Sequence, residues 1–254
     1  MWNDPVALNR LTRLILVVTL LFALWTLGRA GAENLAPFGR VSVNGASKDE
    51  TRVAAKAELD KLRGGFFALD LDATRVQFEQ LPWVRRADIR RVWPGQLAIV
   101  LEEHSAAAAW NDRALINTHG EVFAVMAMDK YLSRLPRLYA PEGTERETAR
   151  RYGEFVAVAQ PLGMRVEQIV VTARQSWRVR LNGSGGSSSA GTVSGSVLVE
   201  LGREHLSERL ARFARFYPQA VATLGPITRA DMRYPNGFAA QTRGGKMAKD
   251  VGKA

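Results

Sequence analysis

The chain has 254 residues, 46% hydrophobic and 24% charged, carries a net charge of +10 and contains no cysteine. Such proportions suit a globular protein of one or two domains, and the absence of cysteine excludes disulfides, metal–thiolate centres and thiol nucleophiles. The arginines are spread over the whole chain with no RNA-binding signature or recognition-helix pattern, so the basic excess is read as anchorage at an anionic surface, with no nucleic acid as partner.

Residues 1–12 are too short to fold and read as a small cytoplasmic tail. Residues 14–27 hold no charge, amide or proline, and Arg13 and Arg29 bracket them. A bilayer core needs roughly 20 apolar helical residues, and long arginine stems can make up the deficit. A transmembrane helix is therefore expected over residues 13–29, with Trp25 at an interface. A cleavable secretory signal stays open, because Ala30-Gly31-Ala32 follows where a peptidase would cut. A buried core helix is disfavoured, since no polar face interrupts the run.

Residues 30–39 read as a linker containing Pro37. Val41 and Val43 then alternate with polar residues as a half-buried strand, closed by Asn44-Gly45. Ser47 with Glu50 three positions on makes a capping-box pattern, predicting a helix to about Leu62 that buries Val53, Ala57 and Leu62. Phe66, Phe67, Leu69 and Leu71 form an apolar connector, and Asp72 is expected to cap a second helix through Gln80. A strand follows over residues 83–93, placing Ala87, Ile89 and Trp93 on one face. Pro94-Gly95 turns the chain into a strand over 96–103, with Leu97, Ile99 and Leu101 inward. The order strand–helix–helix–strand–strand predicts an α+β unit over residues 40–104, with both helices on one sheet face.

Short strands are expected at 106–110, 115–116 and near 122, then an irregular stretch over 128–139. Thr144 is expected to cap a helix to Gln160, in which Ala149, Tyr152, Phe155, Val156 and Ala159 keep helical spacing. Strands are expected at 166–171 and 177–181. Residues 182–196 are almost all Gly, Ser, Ala and Thr, and read as the flexible tip of an elongated hairpin returning over 197–201. A phosphate cradle is rejected there, because no Lys-Ser/Thr and no helix follow. Leu206, Leu210, Phe213 and Tyr217 predict one face of a helix that Pro218 breaks or restarts. A strand over 227–234, a tight turn at Pro235-Asn236-Gly237 and a last strand over 238–241 complete a mixed β domain over 105–241. The Gly- and Lys-rich residues 242–254 read as a disordered tail.

No catalytic constellation emerges. His104, His119 and His205 lie on different elements, and Glu102, Glu103 and His104 are strand neighbours whose side chains alternate between faces. No cofactor, metal or small-molecule substrate is expected, and the chain reads as a non-enzyme. The final hairpin suggests a binding device, since a free sheet edge can accept a strand from another protein. An ordinary terminal hairpin is the plainer alternative.

A resemblance sharpens this. Val41-x-Val43-x-Gly45 and Arg91-x-Trp93-Pro94-Gly95 within that element order look like a POTRA domain. Leu81-Pro82-Trp83-Val84, Arg90-Arg91-Val92-Trp93-Pro94 and Leu101-Glu102-Glu103, behind a single anchor, resemble the FtsQ/DivIB family of bacterial cell-division proteins. The resemblance implies an uncleaved inner-membrane anchor with the N-terminus cytoplasmic and the bulk periplasmic. It also implies a non-catalytic divisome scaffold at the septum that links early and late division proteins. FtsB and FtsL are the implied partners, with other division proteins meeting the POTRA domain. By the same analogy residues 233–238 take up a partner segment, Arg233 engaging a partner carboxylate, Tyr234 and Phe238 supplying apolar contact, Gly237 allowing close backbone approach, and Asn236 lying within the same partner-binding stretch. The Gly/Ser stretch and the basic tail depart from the resemblance. Two competing classes are an outer-membrane assembly or secretion factor, which also carries POTRA units, and a hydrolase released after Ala32.

Overall fold

The computed structural model describes residues 5–34, 39–62, 66–188, 191–235, 237–244 and 247–251. Helix α1 spans Pro5–Asn34, longer at both ends than the apolar run. Its segment Asn9–Thr26 has a mean hydropathy of 1.4. It is the one helix among the described residues long and apolar enough to cross a membrane. Thr19 and Thr26 donate their hydroxyls back to the Ile15 and Ala23 carbonyls at 2.8 and 3.0 Å. Such back-bonding removes the free donors that lipid would penalise.

The chain divides into two compact units, Met1–His104 and Ser105–Ala254. In the first, after α1, come β1 (Arg40–Asn44), α2 (Asp49–Lys61), α3 (Leu71–Glu79), β2 (Val84–Val92) and β3 (Gln96–Glu103). The sheet order is β1-β3-β2, with β1 parallel and β2 antiparallel to β3. The core gathers Ala55, Leu69, Phe78, Val84, Ala87, Leu97, Ile99 and Leu101.

Several local expectations are corrected here. The capping box does not form: the N-cap of α2 is Lys48, without a side-chain cap. The Ser47 hydroxyl and the Lys48 amide both turn to the Glu103 carboxylate, and Glu50 accepts the Trp83 indole N–H at 2.8 Å. Tertiary partners thus outcompete the local cap. The helix phase shifts with this anchorage, so Thr51 and Ala55 are buried while Val53 is 71% exposed. Helix α3 is capped by Asp70, not Asp72: its carboxylate accepts the Asp72 and Ala73 amides, both at 3.0 Å. Trp93 is 79% exposed, because the β2–β3 ladder ends at Val92↔Gln96 and the indole lies beyond it, in the turn.

The second unit holds β4 (Ala106–Trp110), β5 (Ala114–Asn117), β6 (Val122–Phe123), α4 (Met128–Leu132), β7 (Arg137–Tyr139), α5 (Glu145–Ala159) and β8 (Met164–Val171). Then follow β9 (Trp177–Ser188), β10 (Gly191–Gly202), α6 (Leu206–Leu224), β11 (Ile227–Asp231), β12 (Phe238–Thr242) and β13 (Met247–Val251). The sheet order is β13-β12-β11-β10-β9-β8-β7-β4-β5-β6. Helices α5 and α6 pack against each other and on the sheet. Phe155, Leu210, Phe213 and Tyr217 meet Ile169, Val179, Val199, Ala230 and Ala240 in one core.

The β9 and β10 strands extend into the Gly/Ser stretch as a long hairpin, with backbone pairing such as Gly183↔Gly195 and Ser187↔Thr192. The stretch expected to be irregular carries α4 and β7, the latter parallel to both β4 and β8. Thr144 is the N-cap residue of α5, as expected, but its hydroxyl donates to the Pro141 carbonyl and makes no side-chain cap bond. Pro218 sits inside α6 without ending it; the lost amide costs one rung while Tyr217 and Ala220 stay buried. The tail also departs from expectation: β13 pairs antiparallel with β12 through Phe238↔Val251, Ala240↔Ala248 and Gln241↔Met247. An edge strand offers backbone donors and acceptors that any non-proline segment can meet, whatever its side-chain composition.

Candidate partner-docking site

The site lies where the sheet nears its C-terminal end. Strand β11 runs parallel to β10 (Val199↔Ala230, Glu200↔Asp231) and antiparallel to β12 (Arg229↔Gln241, Asp231↔Ala239). With a period of two, Val199, Ala230 and Ala240 face the helices, and Glu200, Arg229, Asp231 and Gln241 share the opposite face. Four charges cluster on that face. Glu200, only 9% exposed, pairs closely with Arg229 and lies 3.5 Å from Arg233 Nη2. Arg233 binds Asp231 through Nε at 2.9 and 3.1 Å and through Nη2 at 2.6 Å, and its amide donates to the same carboxylate at 3.1 Å.

Burial pushes the Asp231 carboxyl up, but hydrogen bonds from Arg233 and the nearby Arg229 charge hold it below the usual range. The Asp231 carboxylate in turn raises Arg233 above its ordinary value. Arg233, expected to greet a partner carboxylate, therefore already holds two carboxylates of its own chain. A partner acid must compete with both.

The turn after β11 is held from the side. The Arg212 guanidinium on α6 donates to the Pro235, Tyr234 and Met232 carbonyls at 2.5, 3.0 and 3.2 Å. Its Nε is buried without a hydrogen-bond partner. The Met232 amide donates to the Glu200 carbonyl at 2.9 Å, so the chain leaves β11 still tied to β10. Helix α6 reaches this position because Leu206, Leu210, Phe213 and Tyr217 bury one stripe.

The expected site residues fare differently. Tyr234 is 50% exposed. Gly237 has φ of +152°, a backbone state that L side chains rarely adopt. Asn236 lies outside the described residues. Phe238 is corrected: it is 1% exposed, and its ring meets Phe213 edge-on at 6.0 Å between centroids. As the first residue of β12 it faces the helices, and its ring belongs to the core rather than to the surface. Sequence reasoning missed Arg212, Glu200, Arg229 and Asp231. The alternation Arg229, Asp231 was a readable sign of one charged strand face, whereas nothing local marked Arg212.

No group of three or more His, Cys, Asp or Glu side chains among the described residues could hold a metal ion. The arrangement presents backbone, one exposed ring and a self-neutralised charge cluster.

Comparison with known proteins agrees with this architecture. Residues 36–104 match the FtsQ-type POTRA domain, and residues 108–233 match the C-terminal domain of cell division protein FtsQ/DivIB. The second match ends at Arg233, so the turn lies just beyond it. The chain is 36% identical over 198 residues to cell division protein FtsQ of Burkholderia pseudomallei, covering 76% of this chain and 74% of that protein. It is 34% identical over 253 residues to FtsQ of Nitrosospira multiformis, covering 95% of this chain and 99% of that one. With FtsQ of Escherichia coli it shares 33% identity over 181 residues, 69% of this chain and 61% of that protein. The chain belongs to the FtsQ/DivIB family of bacterial cell-division proteins, with an FtsQ-type POTRA domain ahead of the family's C-terminal domain.

Proposed function

We propose that this protein is a non-catalytic scaffold of the divisome, held in the inner membrane by α1, with residues 40–104 as its POTRA domain and 105–241 as its β domain. The N-terminus lies in the cytoplasm and the bulk in the periplasm at the septum. The C-terminal end of the larger sheet takes up an extended segment of FtsB, itself paired with FtsL. The observation that carries this reading is the Arg212-held turn, which presents Tyr234 beside the β12 backbone. Backbone pairing supplies affinity in such strand addition, and side chains at the rim supply selectivity.

In the unbound chain the outer edge of β12 is taken by β13. Strand β13 is the terminal strand of the described sheet, so it is the neighbour of β12 that an incoming strand replaces. Arg233 keeps its pairs with Asp231 and Glu200 and acts chiefly by fixing the turn.

The test is capture of FtsB–FtsL by the full-length chain in lipid nanodiscs. Tyr234→Ala weakens capture about tenfold, while Val122→Ala on β6, at the opposite edge, leaves it unchanged. Wild-type capture by Tyr234→Ala together with loss in Val122→Ala moves the site to the other edge and overturns the reading.

A further inference from the structure

The POTRA unit exposes two large aromatic rings besides Val53 on the outer side of α2: Phe67 at 67% and Trp93 at 79%. Both lie at one end of the unit. Strand β1 leaves that end, α2 returns to it, α3 leaves it, and the β2–β3 turn closes it. Direct contacts tie the pieces together. The Gly39 amide donates to the Gly95 carbonyl at 2.9 Å. Arg91 donates to the Phe66, Phe67 and Leu69 carbonyls at 2.7, 3.4 and 2.6 Å, clamping the 66–69 loop to the end of β2.

Gly39 is also where the chain arrives from α1. The apolar segment of α1 ends at Thr26 and the helix at Asn34. Eight further helical residues span about 12 Å, and the five residues to Gly39 span at most about 17 Å. Gly39, where this end is tethered, thus cannot stray farther than about 29 Å from the apolar boundary of the span, a tether that gives a high effective concentration at the surface. Charge here is mixed, with Asp60, Asp70 and Asp72 against Arg40, Lys61, Arg90 and Arg91 on the segments that meet at this end. The rings, not net charge, supply the attraction, as amphipathic indoles do at headgroup level.

We propose that Phe67 and Trp93 form a membrane-interface foot, which seats this end of the POTRA unit in the headgroup layer of the bilayer that α1 spans. The inference rests on α1 being the anchor. Its occupant is the lipid surface, because the tether keeps that surface within reach at all times. A seated foot holds the unit at a fixed height and leaves its other end to division partners.

The chain has no cysteine, so single-cysteine labelling is clean. Full-length protein carrying an environment-sensitive probe at Val92→Cys is placed in nanodiscs containing headgroup-proximal spin-labelled lipid. The probe is expected to be quenched at least about twofold more than the same probe at Val53→Cys, and Phe67→Ser with Trp93→Ser abolishes the difference. Equal quenching at positions 92 and 53 in chain that has entered the nanodisc overturns the foot and leaves the anchor standing. Quenching that survives the double variant overturns the role of the rings. Failure of the chain to enter nanodiscs overturns the anchor and the foot together.

Discussion

Arg212→Ala is the sharpest perturbation of the docking site. It removes three guanidinium hydrogen bonds, to the Pro235, Tyr234 and Met232 carbonyls. Hydrogen bonds to a charged group contribute about 1.5–3 kcal/mol each when water cannot replace them. Tyr234 and Pro235 are exposed, so water restores their carbonyls on truncation; Met232 is buried, and its carbonyl bears the main loss. Global stability should fall by about 2 kcal/mol, a shift of about 4–8 °C in Tm for a domain of this size. Binding should suffer separately. Fixing a backbone residue costs about 1–2 kcal/mol, and residues 232–235 are released, although the Arg233–Asp231 pair still restrains part of them. A further about 2–3 kcal/mol is expected on partner binding, roughly 30- to 150-fold in Kd. Calorimetric titration with an FtsB segment reads the second effect and thermal unfolding the first, while Arg212→Lys, a point charge without the fork, should fall between. An affinity within about threefold of wild type, with unchanged amide exchange at residues 232–235, would refute the clamp.

Phe238→Ala should destabilise the second unit by about 3–5 kcal/mol, seen as a lower denaturation midpoint, while Tyr234→Ala changes stability by less than about 0.5 kcal/mol and affects binding alone. Burial works against ionisation of Glu103, but the Ser47 hydroxyl and the Lys48 amide and ammonium outweigh it and lower its pKa to about 2. Its folded pKa lies below the ordinary 4.5, so its contribution is present above pH 4.5 and is lost as pH falls towards 2. Up to about 3 kcal/mol is at stake, and Glu103→Gln should flatten that part of the pH–stability curve. Removing residues 245–254 deletes β13 and should tighten FtsB binding roughly three- to tenfold; weaker binding would mean that β13 itself is the docking edge.

Much of this fold was legible as periodicity. The stripe Leu206, Leu210, Phe213, Tyr217 is buried along its whole length, and Leu97, Ile99 and Leu101 line the first core. Those signals survive because burial of one face dominates both helix and strand energetics. Local caps were misread because Ser47, Lys48 and Glu50 found stronger tertiary partners in Glu103 and Trp83, more than thirty residues away in the chain. Aromatics misled where they stood at element ends: Trp93 fell past the ladder, and Phe238, given a surface contact by the resemblance alone, entered β12 facing the helices. At the site, Tyr234 was pointed to by the family resemblance alone, and it is half exposed. The Arg212 clamp was not legible, since it joins residues 20 or more positions apart through backbone carbonyls that carry no residue signature.

The central claim is that an incoming strand runs along β12. Disulfide trapping of Gln241→Cys against single cysteines placed at successive positions of the FtsB segment, in nanodiscs with FtsL, tests it most directly. Crosslinks at every second FtsB position, lost when the segment is shifted in register, are what strand addition predicts. Crosslinks without that period, or none while the complex stays intact, contradict it.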